Sequence, residues 1–119
     1  MARLDLTYQA RCYSSGTEGR SICNARHHHW VSESPGGEAV GAGELFCASM
    51  AACAVNMVER IARTGRRALD SMDVNVAVYT DKDKPGGEVS TYDACRVTFE
   101  MWGVSDDDAR FLVKTWKQR

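Results

Sequence analysis

Between residues 3 and 13 apolar and polar side chains alternate. Leu4, Leu6, Tyr8, Ala10 and Cys12 fall on one side of an extended chain, and Arg3, Asp5, Thr7, Gln9 and Arg11 fall on the other. A period of two predicts a half-buried strand. The stretch SSGTEG (14–19) is turn-forming, RSICNARHHHWV (20–31) reads as a second strand, and SESPGGEAVGAG (32–43) is a Pro/Gly-rich loop. Glycine in such a loop points to positive φ or to close approach of another backbone.

The pattern then changes period. Residues 44–64 form a helix whose first half is apolar nearly all round and whose second half is amphipathic. Arg60 and Arg63 suit the negative end of its dipole, and Gly65 is the expected left-handed residue just past its end. A helix apolar on every side has to be covered on every side. One small sheet covers one side, and a 119-residue chain has little else to offer. A second subunit is therefore expected to supply the rest.

Alternation returns in MDVNVAVYT (72–80), with Met72, Val74, Val76 and Val78 on one face. After the turn-forming DKDKPGG (81–87) comes VSTYDACRVTFEMW (89–102), which presents Cys95, Val97, Phe99 and Met101. The two predict an antiparallel hairpin. Ser105, followed by Asp106, Asp107 and Asp108, is a helix start, and Leu112, Val113 and Trp116 make the buried stripe of that helix. Strands, long helix, strands, helix, with no repeat or linker, is an α+β order in a single domain covering 1–119.

Charge narrows the partners. Fifteen Lys and Arg against 16 Asp and Glu give a net charge of -1, which supplies no pull toward nucleic acid or an anionic membrane. The N-terminal alternation lacks the apolar centre of a signal peptide, and Leu45–Val58 is too short to span a bilayer. Five cysteines at irregular spacing, with no CxxC, argue against a disulfide framework or a zinc site. A reducing cytoplasm with free thiols is the expected setting.

Three patterns invite chemistry. In RHHHW a strand would project His27 and His29 to one face, but no third or fourth ligand accompanies them, so no metal is expected. The glycines at 36–37 and 41–43 match neither dinucleotide nor P-loop spacing, so no cofactor is expected. Cys53 lies nine residues after Glu44, too deep in the helix for its dipole to help. As a small hydrophobe it is core. As a redox nucleophile it needs a cation from another element, and Arg11, Arg20 and Arg26 are the candidates.

Residues 32–65, SESPGGEAVGAGELFCASMAACAVNMVERIARTG, resemble the signature of the OsmC/Ohr family, named for osmotically inducible protein C and organic hydroperoxide resistance protein. Glu33, Pro35, Gly36 and Gly37 match its loop, Glu44 and Leu45 its helix start, and Ala51, Ala52 and Cys53 its cysteine end. The resemblance implies an OsmC-like fold, with antiparallel sheets around a long central helix in an intertwined homodimer. It also implies a thiol peroxidase. Cys53 would attack an organic hydroperoxide and become a sulfenic acid, Glu44 would assist, and an arginine would hold the thiolate. Arg20 is the best match to that arginine and Arg26 the next. An external dithiol would complete the cycle.

The chain departs from the family in three places. The second family cysteine sits in a Cys-Pro motif beyond the last residue here, Arg119. Either the chain is cut short or this branch does without it. The spacing of Glu44 to Cys53 is that of OsmC-like branches, whereas the hydroperoxide resistance branch has its glutamate one residue earlier, where Gly43 stands. The usual proline before the glutamate is Ala42. As a resolving thiol, Cys47 lies six residues from Cys53, about 9 Å of helix rise away and too far without unwinding. Cys95 on the facing strand is the alternative. A reading from another class is a protein of this fold that binds a small apolar ligand at the dimer interface without peroxidase turnover.

Overall fold

A computed structural model describes residues 2–84 and 92–119. The elements are β1 (Arg11–Ser14), β2 (Arg20–Ala25), β3 (His28–Glu33), α1 (Ala42–Thr64), β4 (Ser71–Tyr79), β5 (Ala94–Trp102) and α2 (Asp106–Lys117). They make a three-stranded antiparallel sheet in the order β1-β2-β3 and a two-stranded sheet β4-β5. The fold is α+β, as expected. The chain divides into two compact units, Met1–Leu45 and Phe46–Arg119, and α1 begins in the first and continues in the second.

In the first unit the expected strand at 20–31 is two strands. The chain reverses at Arg26 and His27, with Arg26 at φ 55, and β3 runs back along β2 with Ala25 opposite His28 and Arg20 opposite Glu33. A two-residue reversal of this kind takes positive φ to match the twist of the strands. No glycine or proline marks it, which hides it in the sequence. The reversal also separates the histidines: His27 is in the turn, while His28 and His29 open β3. The expected N-terminal strand is shorter than predicted, since pairing starts at Arg11. Leu4, Leu6 and Tyr8 are 92, 74 and 92 % exposed, because an alternating strand is half-buried only against a neighbour.

The second unit holds the core. Val58, Ala62 and Leu112 are buried, and Met72, Phe99, Met101 and Trp116 pack on them. The register sets Met72 against Met101, Val74 against Phe99, Val76 against Val97 and Val78 against Cys95, so the expected apolar face of the hairpin forms as one surface. Of the predicted turn between its strands, residues 85–87 lie outside the described residues. Ser105 caps α2 by accepting from the Asp108 amide at 3.2 Å, and Leu112 and Trp116 turn inward, Trp116 edge-on to Phe99 at 5.4 Å.

Helix α1 is two residues longer at its start than expected. By length and composition it is apolar enough to cross a membrane, although the apolar stretch read from sequence was too short. In this fold its second half buries Ala54, Val58 and Ala62. Its C-terminus differs from prediction in one detail. The left-handed residue is Arg66, at φ 54, not Gly65. Arg67 N–H bonds to Ala62 O at 2.8 Å and Arg66 N–H to Arg63 O at 3.2 Å, the two bonds of a Schellman cap. Arg67 then ion-pairs with Asp108 and lies over the Phe111 ring at 3.9 Å.

Candidate functional site

The first unit contains a cleft of about 1070 Å³ whose lining includes Cys12, Ser14, Arg20, Ser32, Glu33 and Glu44. Three strands and a helix start deliver these groups. Arg20 opens β2 directly opposite Glu33, the last residue of β3. Its guanidinium reaches the Glu33 carboxylate at 3.3 Å, with the arginine side chain 51 % exposed and the glutamate 17 %. The other Glu33 oxygen accepts from the Glu38 amide at 3.0 Å. A Cβ at Gly37 would collide with the Glu33 side chain, so glycine at that position is what lets the loop fold over the carboxylate. The loop is anchored at its other side where the Ser34 amide donates to Gly19 O at 2.8 Å.

Glu44 has a structural task. Its Oε1 accepts from the Gly41 amide at 2.9 Å, and the Gly41 carbonyl accepts from Leu45 N–H at 3.0 Å. Glu44 is thus the third residue of the helix turning back on its N-cap, the carboxylate half of a capping box. Ion pairing with Arg20 falls to Glu33. The sequence places Glu33 only in a loop motif, and the signal that finds it is the register: a turn at Arg26 and His27 sets Glu33 opposite Arg20 in the β2–β3 ladder.

Arg26 lies at the hairpin tip, away from the cleft lining, with Nη2 3.0 Å from His28 Nε2. His29 bonds to Asn24. Among the described residues no group of three or more His, Cys, Asp and Glu is placed to hold a metal ion.

Cys53 belongs to the second unit and is exposed, as is Cys95, while Cys47 is half-buried. Cys95 Sγ is 3.9 Å from Met50 Sδ. Met50 is three residues before Cys53 and three after Cys47, so all three share one side of α1. Sequence reasoning missed a different pair. Cys12 and Cys23 face each other across β1 and β2 with their sulfurs 2.9 Å apart.

No family model matches the sequence, and no curated protein sequence does. Solved structures do match. An OsmC-like protein from Mycoplasma pneumoniae superimposes with a TM-score of 0.82 at 12 % identity, over 98 % of this chain and 84 % of the other. An organic hydroperoxide resistance protein from Elizabethkingia anophelis does so at 0.71 and 16 %, over 98 % and 85 %. One from Legionella pneumophila, also described as a predicted redox protein, does so at 0.65 and 15 %, over 98 % and 85 %. At these identities the likeness is one of fold: the chain has the fold of OsmC-like and organic hydroperoxide resistance proteins.

Proposed function

We propose that this chain is an OsmC/Ohr-type thiol peroxidase acting on organic hydroperoxides through Cys53. The observation that carries the proposal is an exposed thiol on the long helix of a fold shared with organic hydroperoxide resistance proteins. The Cys53 thiolate attacks the terminal oxygen of the hydroperoxide. The O–O bond breaks, the terminal OH stays on sulfur as a sulfenic acid, and the alkoxide leaves and takes a proton from solvent to become the alcohol. A second thiol displaces water to give a disulfide, which an external dithiol reduces. Arg20 is assigned the cation's part, since it is the candidate arginine that lies in a cleft with carboxylates around it. Cys95 is assigned as resolving thiol, because its contact with Met50 brings it within a helical turn of Cys53.

The working form in this reading is a homodimer. The N-terminal half of α1 leaves Phe46 45 % exposed, and in the first unit Leu4, Leu6 and Tyr8 stand in the open, apolar side chains that a second copy would cover. A dithiol reductant, as this reading requires, fits a reducing cytoplasm as the setting.

The test is turnover of cumene hydroperoxide with dithiothreitol as reductant. Wild-type protein should consume it, Cys53→Ser should not, and Cys95→Ser should stall after one equivalent unless dithiol attacks the sulfenic acid directly. A wild-type chain that leaves the hydroperoxide intact would sink the proposal. A second reading, apolar-ligand binding without turnover, draws on a groove of about 650 Å³ lined by Phe99, Met101 and Val113. It takes over if hydroperoxide survives while an apolar dye binds stoichiometrically and is displaced by fatty acid.

A further inference from the structure

The cysteines of the three-stranded sheet form a pair that the peroxidase reading does not use. Cys12 and Cys23 are directly opposed in the antiparallel register of β1 and β2. Opposed residues in such a ladder have Cα atoms about 4.5 or 5.5 Å apart, and both values lie within the range that a disulfide spans. The side chains already point at each other. Cys12 Sγ–H donates to Cys23 Sγ at 2.9 Å, so about 0.9 Å of approach separates the two thiols from a bonded length near 2.05 Å. Their environments differ. Cys23 is 1 % exposed. Cys12 is exposed and is one of the residues lining the cleft. A buried cysteine alone reads as a small core residue. A buried sulfur in hydrogen-bond contact with an accessible one is the arrangement of an attacking and a resolving thiol.

We propose that Cys12 and Cys23 are a dithiol–disulfide exchange centre whose substrates are small disulfides and dithiols. The Cys12 thiolate, its proton passed to water, attacks one sulfur of a small disulfide RSSR. The Cys12–S bond forms, the S–S bond of RSSR breaks, and RS⁻ leaves and takes up a proton. Cys23 sulfur then attacks the Cys12 sulfur of the mixed disulfide, the second RS⁻ leaves, and the Cys23 proton goes to it. The protein loses two electrons and two protons, and RSSR becomes two RSH. A small dithiol runs the sequence backward. Closure ties the four-residue β1, which carries part of the cleft wall, to β2. The Cys12 thiol titrates higher than an ordinary cysteine. The bond it donates to Cys23 is the first cause, its partial desolvation and the charge on Cys23 adding to it. Exchange therefore speeds up with pH, by about tenfold per unit below that pKa.

This pair does not rest on Cys53, so the test is made on the Cys53→Ser chain without any peroxide. The protein is equilibrated in glutathione buffers from fully reduced to fully oxidised, quenched with acid, alkylated and digested with trypsin. Cleavage after Arg11, Arg20 and Arg26 puts Cys12 on 12–20 and Cys23 on 21–26. The expected result is a cross-linked 12–20/21–26 peptide that rises with the oxidised fraction and disappears with dithiothreitol, together with slower amide exchange at 11–14 in the oxidised form. In Cys23→Ala the expected result is Cys12 held as a mixed disulfide with glutathione. The proposal is overturned if Cys12 stops at that mixed disulfide while Cys23 is intact and alkylatable, if both stay reduced in fully oxidised buffer, or if Cys12 cross-links to another cysteine instead.

Discussion

Arg20 and Glu33 stand directly opposite each other at the open end of the β2–β3 ladder, guanidinium to carboxylate at 3.3 Å. The pair is half in solvent, so its contribution to stability is at most about 1 kcal/mol. Its effect is to hold a cation at a fixed place in the cleft.

The Arg20 proposal separates chemistry from folding. Arg20→Ala should lower kcat/KM for cumene hydroperoxide by about 100-fold, the scale of losing one charged group that stabilises a transition state. Its urea midpoint should move by no more than an exposed ion pair allows. Steady-state kinetics and urea melts on one preparation check both. A large stability loss with unchanged kinetics would make Arg20 merely structural.

Glu44 caps α1, the family resemblance implies a second task at Cys53, and two substitutions divide the two. Glu44→Gln keeps an oxygen that can accept from the Gly41 amide, whereas Glu44→Ala leaves that amide without its partner. The alanine form should lose about 1 kcal/mol of stability and the glutamine form markedly less. If the carboxylate also assists Cys53, both should lose peroxidase activity. Activity retained in Glu44→Gln would confine the residue to its cap.

Arg66 occupies a left-handed position, φ 54, that disfavours any side chain with a Cβ. Arg66→Gly should therefore stabilise the chain by about 1 kcal/mol, read as a rise of several degrees in Tm. Gly65→Ala should cost much less than its place beside the helix end suggests, since Gly65 is not the residue in that conformation. Thermal unfolding of the two variants decides the assignment.

Asp93 provides a pH dependence. Lys84 Nζ lies 2.9 Å from one of its oxygens, and the Asp81 amide donates to the other at 2.8 Å. The bond from Lys84 first, then that from Asp81, holds its carboxyl below the usual range. A lowered folded pKa means that the contribution is complete above the unfolded value, about 3.9, and is lost as pH falls through the folded one. The stability difference between wild type and Asp93→Asn should thus be constant from pH 7 to pH 5 and shrink below about pH 4. Urea melts at pH 7, 5 and 3 measure it, and a gap that widens in acid would contradict the assignment.

Much of the second unit was legible residue by residue. The alternation of Met72, Val74, Val76 and Val78 against Cys95, Val97, Phe99 and Met101 became the observed register without a slip, because a one-residue shift would turn every one of those side chains to the other face. Ser105 with three aspartates capped α2 where expected, since a cap depends only on neighbours in the chain. The loop and helix start around Glu33, Gly37 and Glu44 were legible as a motif, although their individual tasks were not.

Contacts between distant residues were decided by tertiary structure alone. Nothing local announces the reversal at Arg26 and His27, yet that reversal sets Arg20 against Glu33, and the neighbouring β1–β2 ladder sets Cys12 against Cys23. Hydrophobic period and capping are short-range effects written in consecutive residues. Which charge meets which carboxylate, and which thiol meets which, is settled only when the strands choose their partners.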